Sequence, residues 1–336
     1  MTARHDGVAI LLDLLAKRQP LLLAGAGASA VVGYPPWEPL IRSLAADFAP
    51  AVTLDSDARL AADQIAATAG AEGRFNEYLK RLDLTFRREG RTTSDLRFHK
   101  RLVSLGFSGL ITTNYDPTLE DACMAEFTTP GAIHTCEPID LRDRRPYLVF
   151  EFLRGIGLNN NPRHVLHIHG FHNAPERLIL GMRDFEDAYG HVVTQHDSSL
   201  RTLPRKVLWT LLATRPVLFV GFGIEDPFFS AVLHLLRNDF LLTDEPAHLV
   251  ITHYDVDPAT LGILEPHVAH EEAMNRIRAK LPPGLVPIFY HAPLGPDGRA
   301  DHAALGSLIG DIAGRLGGRP ASDTVDRLMR RALEEL

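Results

Sequence analysis

The stretch LLLAGAGASA, residues 21–30, joins an apolar run to a glycine-rich turn and decides the fold class of the chain. Four consecutive apolar residues fit a strand that is buried on both faces, as strands in parallel sheets are. The turn after it fits the pattern G-x-G-x-x-G/A, with Ala30 in the last place. Gly25 would permit a tight turn, and Gly27 would let the backbone approach a phosphate group. The same turn can also have a purely structural purpose, so it needs support from elsewhere in the chain.

Five further short apolar runs have the same character, and helical patterns lie between most of them. Alternating strands and helices indicate a parallel sheet that is covered on both faces. We therefore expect an α/β fold with a Rossmann-like parallel sheet of about six strands. The predicted strands are Leu21–Ala24, Gly109–Thr113, His164–Ile168, Pro216–Val220, His248–Thr252 and Val286–Tyr290. The predicted helices include Trp37–Phe48, Asp95–Leu105, Leu200–Ala213, Phe228–Phe240 and Glu271–Leu281.

Three parts of the chain lie outside this simple alternation. Residues 50–95 and 172–215 are mostly helical, and we expect them to form a smaller module over the sheet edge. The main domain should then span residues 1–316. A break at 317–320 precedes residues 321–336, whose apolar positions follow helical spacing. That amphipathic helix either packs on its own domain or docks onto a second subunit or a partner.

Composition excludes several classes of protein. The chain has 336 residues, is 45% hydrophobic and carries a formal net charge of -7. Because no long basic run is present, we expect no direct binding of nucleic acid. Cys123 and Cys136 alone cannot form a disulfide framework or a four-cysteine zinc site, which favours a reduced, cytoplasmic protein. No apolar run approaches the roughly 18 residues of a membrane helix, so we expect no membrane partner.

The sequence TTNYD, residues 112–116, follows the second predicted strand. Side chains alternate along an extended segment, so Thr112, Asn114 and Asp116 would share a side. A neutral amide and a carboxylate at a strand end can hold ribose hydroxyls, a water molecule and a carboxamide. The alternative is an Asn/Asp-rich turn that Pro117 closes.

Histidines dominate the third predicted strand, in the sequence HVLHIHGFH at residues 164–172. A histidine with a pKa near neutral is a natural general base, and His169 is the candidate. Gly170 would let a substrate approach the backbone. His167 and His169 have the spacing that can grip a metal ion, but no third ligand is evident nearby. We therefore predict no metal site and a structural or supporting role for His167.

A second glycine-rich turn, GFGIEDP at residues 221–227, follows the fourth predicted strand. Two such turns on neighbouring strands can grip a dinucleotide from both sides, through Gly221 and Gly223. Asp226 can contact the ligand or, as we favour, cap the following helix. An ordinary Rossmann dehydrogenase also needs an acid about 20 residues after the first turn. Asp47 has that spacing but lies in a helical pattern, which argues against a dehydrogenase.

Together, these motifs resemble those of the sirtuin fold in order and spacing, over roughly residues 20–290. GAGAS at 25–29 looks like the family's glycine-rich NAD loop, TTNYD like its Asn-x-Asp motif and HIHG at 167–170 like its catalytic His-Gly. GFGIEDP occupies the place of its second nucleotide loop. The resemblance implies that Asn114 orients the nicotinamide ribose and the attacking water. It also implies that Asp116 contacts the carboxamide and that His169 is the general base.

The remaining NAD contacts follow from the same resemblance. Trp37, in the loop GYPPW at 33–37, either shields the nicotinamide ribose or acts as a hydrophobic staple for the next helix. The residues expected to bind NAD are Gly25, Ala26, Gly27, Ser29, Trp37, Thr113, Asp116, Gly221, Phe222, Gly223 and Asp226.

Departures from the family pattern indicate which activity to expect. Protein-deacylating sirtuins carry a four-cysteine zinc module after the His-Gly, whereas residues 172–215 contain no cysteine. The family's arginine after the first glycines is replaced by a Pro-Pro-Trp-Glu segment, and its hydroxyl residue in the second loop by Gly223. In these respects the chain resembles bacterial sirtuin-like effectors of anti-phage immunity, which hydrolyse NAD. We therefore expect an NAD hydrolase that needs no zinc and releases nicotinamide and ADP-ribose.

Three other functions remain open at this stage. A protein deacylase or ADP-ribosyltransferase would react only with an acceptor present. A metal-dependent hydrolase built on His167 and His169 would lose activity to chelators. A non-catalytic module would bind NAD or ADP-ribose without turnover.

A free NAD hydrolase would harm its own cell, so we expect its activity to be gated. The resemblance suggests a homo-oligomer and a protein partner, either a HerA-type ATPase or a short Argonaute-type protein. The C-terminal helix at 321–336 is the expected contact.

Overall fold

A computed structural model describes residues 6–54, 57–88, 96–143, 145–158, 162–190, 202–223, 227–240, 248–256, 265–282, 284–295 and 300–317. The strands within these ranges are β1 (Leu21–Ala24), β2 (Gly109–Thr112), β3 (Glu137–Asp140), β4 (His164–His167), β5 (Val217–Val220), β6 (His248–Tyr254) and β7 (Leu285–His291). They form one sheet in the order β3-β4-β2-β1-β5-β6-β7. Every neighbouring pair is parallel. The expected α/β fold with a Rossmann-like sheet is confirmed.

The six predicted strands are present, and the sequence reading missed one strand, β3. Its sequence, EPID, is only partly buried and contains Pro138. Proline cannot donate a ladder hydrogen bond, so it is confined to places such as edge strands. β3 lies at one edge of the sheet. The central strands β1, β2 and β5, by contrast, are buried along their whole length, so their sequences are continuous apolar runs that can be recognised.

Helices cover both faces of the sheet, as expected. They are α1 (Gly7–Ala16), α2 (Ala26–Ala30), α3 (Trp37–Phe48), α4 (Ala58–Ala71), α5 (Phe75–Phe86), α6 (Arg97–Val103), α7 (Thr118–Phe127), α8 (Pro146–Gly155), α9 (Met182–Tyr189), α10 (Leu203–Thr214), α11 (Pro227–Asp239), α12 (Pro266–Arg278) and α13 (Ala303–Gly317). Residues of α1, α6, α7 and α13 share one buried apolar cluster with the sheet. Residues of α8, α9, α10 and α11 share another. None of the helices in the described ranges is long and apolar enough to cross a membrane.

A third apolar cluster belongs to a helical module beyond the sheet. It joins α3, α4 and α5 to the side chains of Tyr34, Tyr115, Leu178 and Leu180. Residues 50–95 supply α4 and α5 of this module, and residues 172–215 supply Leu178 and Leu180. The helices α9 and α10 of the second stretch pack instead in the apolar cluster that they share with the sheet. The predicted helix at 321–336 lies outside the described residues, so its packing stays a prediction.

The topology also fixes where a ligand should bind. The chain leaves β1 toward β2 on one side and leaves β5 toward β6 on the other. Since β1 and β5 are neighbours, the connections diverge between them, which makes this pair the switch point of the sheet. Open α/β sheets bind their ligands at the carboxyl ends of the strands at such a point. Both predicted glycine-rich turns lie there.

Candidate functional site

The two glycine-rich turns interlock through their backbones. The Gly27 N–H donates to the Gly221 carbonyl at 2.9 Å, and the Gly25 N–H donates to the Val220 carbonyl at 2.9 Å. A Cβ built at Gly25 would lie 2.5 Å from the Gly221 oxygen, and one at Gly221 would collide with the Ala28 nitrogen. Gly221 also has a φ of +63°, which disfavours L side chains. Close packing of the two turns therefore requires these glycines, whatever ligand the turns hold.

A cavity of about 340 Å³ opens beside these turns, at the carboxyl ends of β1, β2 and β5. A cavity of this size is typical of small-molecule sites. Of the predicted site residues in the described ranges, all except Gly27 line it. They are Gly25, Ala26, Ser29, Trp37, Thr113, Asn114, Asp116, His169, Gly221, Phe222 and Gly223. Gly27 lines a second cavity on the other side of the turns. Asp226 lies outside the described residues, so its cap or contact stays a prediction.

Asn114 is anchored at its amide nitrogen. Its Nδ2 donates to the Gly25 carbonyl at 2.9 Å and to the Ser29 hydroxyl at 2.7 Å. An amide has two N–H donors, so both are used by the first glycine-rich turn. The acceptor oxygen Oδ1 makes no hydrogen bond to the described residues, so it is available to a ligand in the cavity that Asn114 lines. The arrangement presents an uncharged acceptor for a hydroxyl group or a water molecule.

Asp116 continues the same hydrogen-bonded chain. Its Oδ1 accepts from the Ser29 hydroxyl at 3.1 Å and from the Thr118 N–H at 3.1 Å, and it also accepts from the Thr118 hydroxyl. Burial raises the pKa of the Asp116 carboxyl, and these donors only partly offset that rise. Ser29 thus links Asn114 to Asp116, and the three side chains form one polar wall of the cavity.

His169 occupies a different environment on the same cavity. Its ring meets Phe185 and Tyr189 of α9 edge to face, with centroids 5.2 Å and 5.8 Å away. Loss of water around the ring, with the positive charge of Arg142 nearby, lowers the pKa of His169 to about 3. The expectation of a near-neutral pKa is therefore wrong, because packing of α9 against the ring was not visible in the sequence. The imidazole is neutral at pH 7 and keeps a lone pair.

His167 is not part of the cavity wall. It is fully buried, with Nδ1 2.8 Å from the Asn114 carbonyl and Nε2 2.7 Å from Glu120 Oε1. Burial opposes a charged ring, but the Glu120 carboxylate and the Asn114 carbonyl outweigh it and raise the pKa of His167. With both nitrogens engaged, His167 has no lone pair for a metal ion. Nor do the described ranges bring three or more His, Cys, Asp or Glu side chains together as a metal site.

Several cavity residues were missed by the sequence reading. Asp57 caps α4 and grips the guanidinium of Arg59 at 2.5 Å, and both side chains line the cavity. Arg59 also lies over the ring of Phe185, 5.6 Å from its centroid. Phe86 comes from α5. Both helical insertions therefore cover the site, which no motif could have indicated, since helices distant in sequence supply these residues.

A second cavity, of about 520 Å³, lies across the interlocked turns at the ends of β6 and β7. It shares Gly221, Phe222 and Gly223 with the first cavity. The glycine-rich turns therefore form a ridge with an open compartment on each side.

Comparison with known proteins finds two similarities. A family model described as a SIR2-like domain matches residues 108–273, which include Asn114, Asp116, His169 and the second glycine-rich turn. The NAD(+) hydrolase ThsA of Bacillus cereus (strain MSX-D12) is 25% identical to the chain over 226 residues. That match covers 65% of this chain and 40% of the relative, so the chain spans less than half the length of that protein.

Proposed function

Since this chain is a sirtuin-like protein that carries a SIR2-like domain, we propose that it hydrolyses NAD to nicotinamide and ADP-ribose. The observation that carries the proposal is the meeting of three side chains on one cavity, beside the interlocked turns. They are the Asn114 amide, the Asp116 carboxyl and the His169 imidazole. The similarity to an NAD(+) hydrolase supports the same substrate.

NAD is long enough to need both compartments. We place its nicotinamide ribose in the cavity with Asn114 and its adenosine half in the second cavity. The pyrophosphate would then cross the ridge formed by Gly25, Gly27 and Gly221. The absence of side chains at these glycines allows phosphate oxygens to approach the backbone closely, although the N–H groups of Gly25 and Gly27 already donate within the interlocked turns.

The reaction follows from the bond that breaks. Nicotinamide leaves from C1′ of the ribose as a neutral molecule and takes the bonding electron pair with it. The ribose becomes oxocarbenium-like, and a water molecule forms the new C1′–O bond while giving up a proton. Dipoles that are already oriented stabilise such a charge without reorganising. In this scheme Asn114 Oδ1 orients the ribose or the water, and Asp116 holds the carboxamide of the leaving group.

His169 accepts the proton in this scheme. Its low pKa makes it a weak base, but it keeps the ring unprotonated throughout the physiological pH range. A weak base suffices, because water becomes strongly acidic as its oxygen bonds to an electron-poor carbon. A positioned general base contributes about 10²–10⁴-fold to the rate, and a base with a pKa far below the working pH belongs at the lower end of that range.

The first experiment is nicotinamide release from NAD by the purified chain, with Asn114→Ala and His169→Ala beside it, each with and without EDTA. We expect release by the wild type alone, unaffected by EDTA, and a loss of about 10²–10⁴-fold in His169→Ala. The substitution Gly314→Ala is a useful comparison for folding, since that glycine lies in α13, lines neither cavity, and a Cβ added to it meets open space.

Other outcomes would favour the other functions. Release that needs an acyl-peptide or a protein acceptor would indicate a deacylase or an ADP-ribosyltransferase. Loss of activity in EDTA would indicate a metal-dependent hydrolase. Tight NAD binding without release, in the presence of candidate activators, would indicate a binding module.

We further propose that the enzyme acts as a gated effector of anti-phage defence that depletes NAD. A HerA-type ATPase, a short Argonaute-type protein or self-assembly would supply the gate through residues 321–336. Truncation after Gly317 should then abolish activation by the partner, and unchanged activation would contradict this proposal.

A further inference from the structure

Asn114 is held through its backbone as well as its side chain. Its N–H donates to the Thr112 hydroxyl at 2.9 Å, and its carbonyl lies 2.8 Å from His167 Nδ1. Together with the two bonds from Nδ2, four hydrogen bonds fix this one residue. Three of them come from its own strand or from the first glycine-rich turn. The fourth comes from β4 through an imidazole that never reaches the cavity.

The partners of His167 fix the orientation of its ring. A backbone carbonyl can only accept a hydrogen bond, so Nδ1 must carry a proton. Nε2 then faces Glu120 Oε1 at 2.7 Å, and the His167–Glu120 contact is almost entirely buried. The ring also packs against Phe171, with centroids 4.8 Å apart. Without Glu120, nothing polar among the described side chains would hold Nε2 and keep Nδ1 on the Asn114 carbonyl.

A contribution to the stability of the fold does not by itself explain why His167 and Glu120 are paired in the interior. Glu120 is 2% exposed and its second oxygen, Oε2, is buried with no partner among the described residues. A buried ion pair usually stabilises a fold no better than well-packed apolar residues of similar size. The pair does, however, set a hydrogen bond to the residue that faces the reaction. Groups behind a site commonly orient the groups that line it.

We propose that Glu120 and His167 form a positioning couple for Asn114: the carboxylate holds the imidazole, and Nδ1–H of the imidazole holds the Asn114 carbonyl so that Oδ1 stays aimed into the cavity. This inference rests on the proposed function, in which Asn114 orients the ribose or the water. His167 and Glu120 are positioning residues, since neither lines the cavity that would hold the substrate.

Two amide substitutions at His167 test the contacts of the two ring nitrogens separately. The side-chain nitrogen of asparagine can take the place of Nδ1, so His167→Asn can keep the bond to the Asn114 carbonyl. The side-chain nitrogen of glutamine can take the place of Nε2, so His167→Gln can keep the contact with Glu120. We expect His167→Gln to lower kcat about 10–100-fold with KM changed less than about threefold, because a small misplacement of a reacting group has effects of that size. His167→Asn should restore most of the lost kcat.

A control separates positioning from folding. His248→Gln removes another buried imidazole, which accepts from the Val217 N–H at 3.2 Å at the amino end of β6. It should keep the wild-type kcat at a temperature well below unfolding. Equal kcat values for His167→Asn and His167→Gln would overturn the proposal, as would an equal loss of kcat in His248→Gln.

A second measurement does not depend on turnover. In ¹⁵N NMR spectra of the full chain, Nδ1 of His167 should carry a proton that is protected from exchange with water. Glu120→Ala should speed that exchange about tenfold or more, because the ring is no longer held. A bare Nδ1, or unchanged exchange in Glu120→Ala, would overturn the couple even if the wild type releases no nicotinamide. Absence of nicotinamide release together with a protected Nδ1 would instead count against the proposed function alone.

Discussion

Two histidines at the carboxyl end of β4, only two residues apart, lie in opposite environments. His167 faces α7, has a hydrogen-bond partner at each nitrogen and has a raised pKa. His169 faces the cavity and α9, meets aromatic rings and has a pKa lowered to about 3. Both residues are histidines, so the groups around each ring account for the opposite pKa shifts. The surroundings of His167 favour the protonated ring, and those of His169 favour the neutral ring.

The largest expected consequence concerns stability. His167→Ala should lower the free energy of unfolding by about 3–5 kcal/mol, because it leaves the Glu120 carboxylate buried without its partner. His169→Ala should lower it less, by about 1–2 kcal/mol, because the ring loses its contacts with Phe185 and Tyr189 but has no ionic partner among the described side chains. Chemical denaturation of the two variants and the wild type gives the comparison.

Activity should rank the two positions in the opposite order, with His167→Asn as the variant at His167, because it can keep the bond to the Asn114 carbonyl. His169→Ala should remain folded but nearly inactive, whereas His167→Asn should be folded and active. If His169→Ala proves as unstable as His167→Ala, the ring is a packing residue and the contrast between the two sides fails.

This contrast also marks where sequence reasoning succeeds and where it stops. The sequence singles out Gly25, Asn114, His169 and Gly221 because each belongs to a short motif at the end of an apolar run, and all four line one cavity. Their meeting on one cavity follows from the parallel topology, which the alternation of elements predicts. Local patterns carry that much information because strand ends in such a sheet share one edge.

Tertiary packing supplies the rest, and no local pattern encodes it. Arg59 and Phe86 reach the cavity from helices whose docking is decided by the third apolar cluster. The pKa of His169 depends on α9, which follows it by more than ten residues in the chain. β3 was missed because a partly buried edge strand with Pro138 lacks the apolar run that marks the others.

The pH dependence of stability should show the two settings with opposite signs. His169 has a folded pKa below its usual value of 6.5, so unfolding takes up a proton and stability falls as pH drops below about 6.5. His167 has a raised folded pKa, so its contribution is present below pH 6.5 and is lost as pH rises through the folded pKa. Each group contributes at most about 1.4 kcal/mol per pH unit.

Removing each ring should therefore flatten a different limb of the stability curve. His169→Ala should reduce the acid slope between about pH 6.5 and 4 by up to one proton relative to the wild type. His167→Asn should change the alkaline limb instead. Unfolding free energies measured at several pH values test both expectations. His248→Gln is the reference for the acid limb, because burial lowers the pKa of His248 to about 4. An acid slope that His169→Ala leaves unchanged would show that this ring titrates normally.

The smallest expected effect concerns the pH profile of activity. The pH dependence of kcat/KM reports groups of the free enzyme, and the base in the proposed reaction must be unprotonated. Since the pKa of His169 is about 3, lowering the pH from 8 to 5 should leave it unprotonated. A histidine with an ordinary pKa near 6.5 would instead lose activity about tenfold per pH unit below that value. We therefore expect kcat/KM to change less than about threefold over this range, wherever circular dichroism shows the chain folded. If kcat/KM of the wild type falls below about pH 6.5 and that fall disappears in His167→Asn, the titrating group is His167, on the other side of β4. The same fall kept in His167→Asn would assign the titration to the cavity itself, either to His169 with water at its ring or to Asp116, whose pKa burial raises.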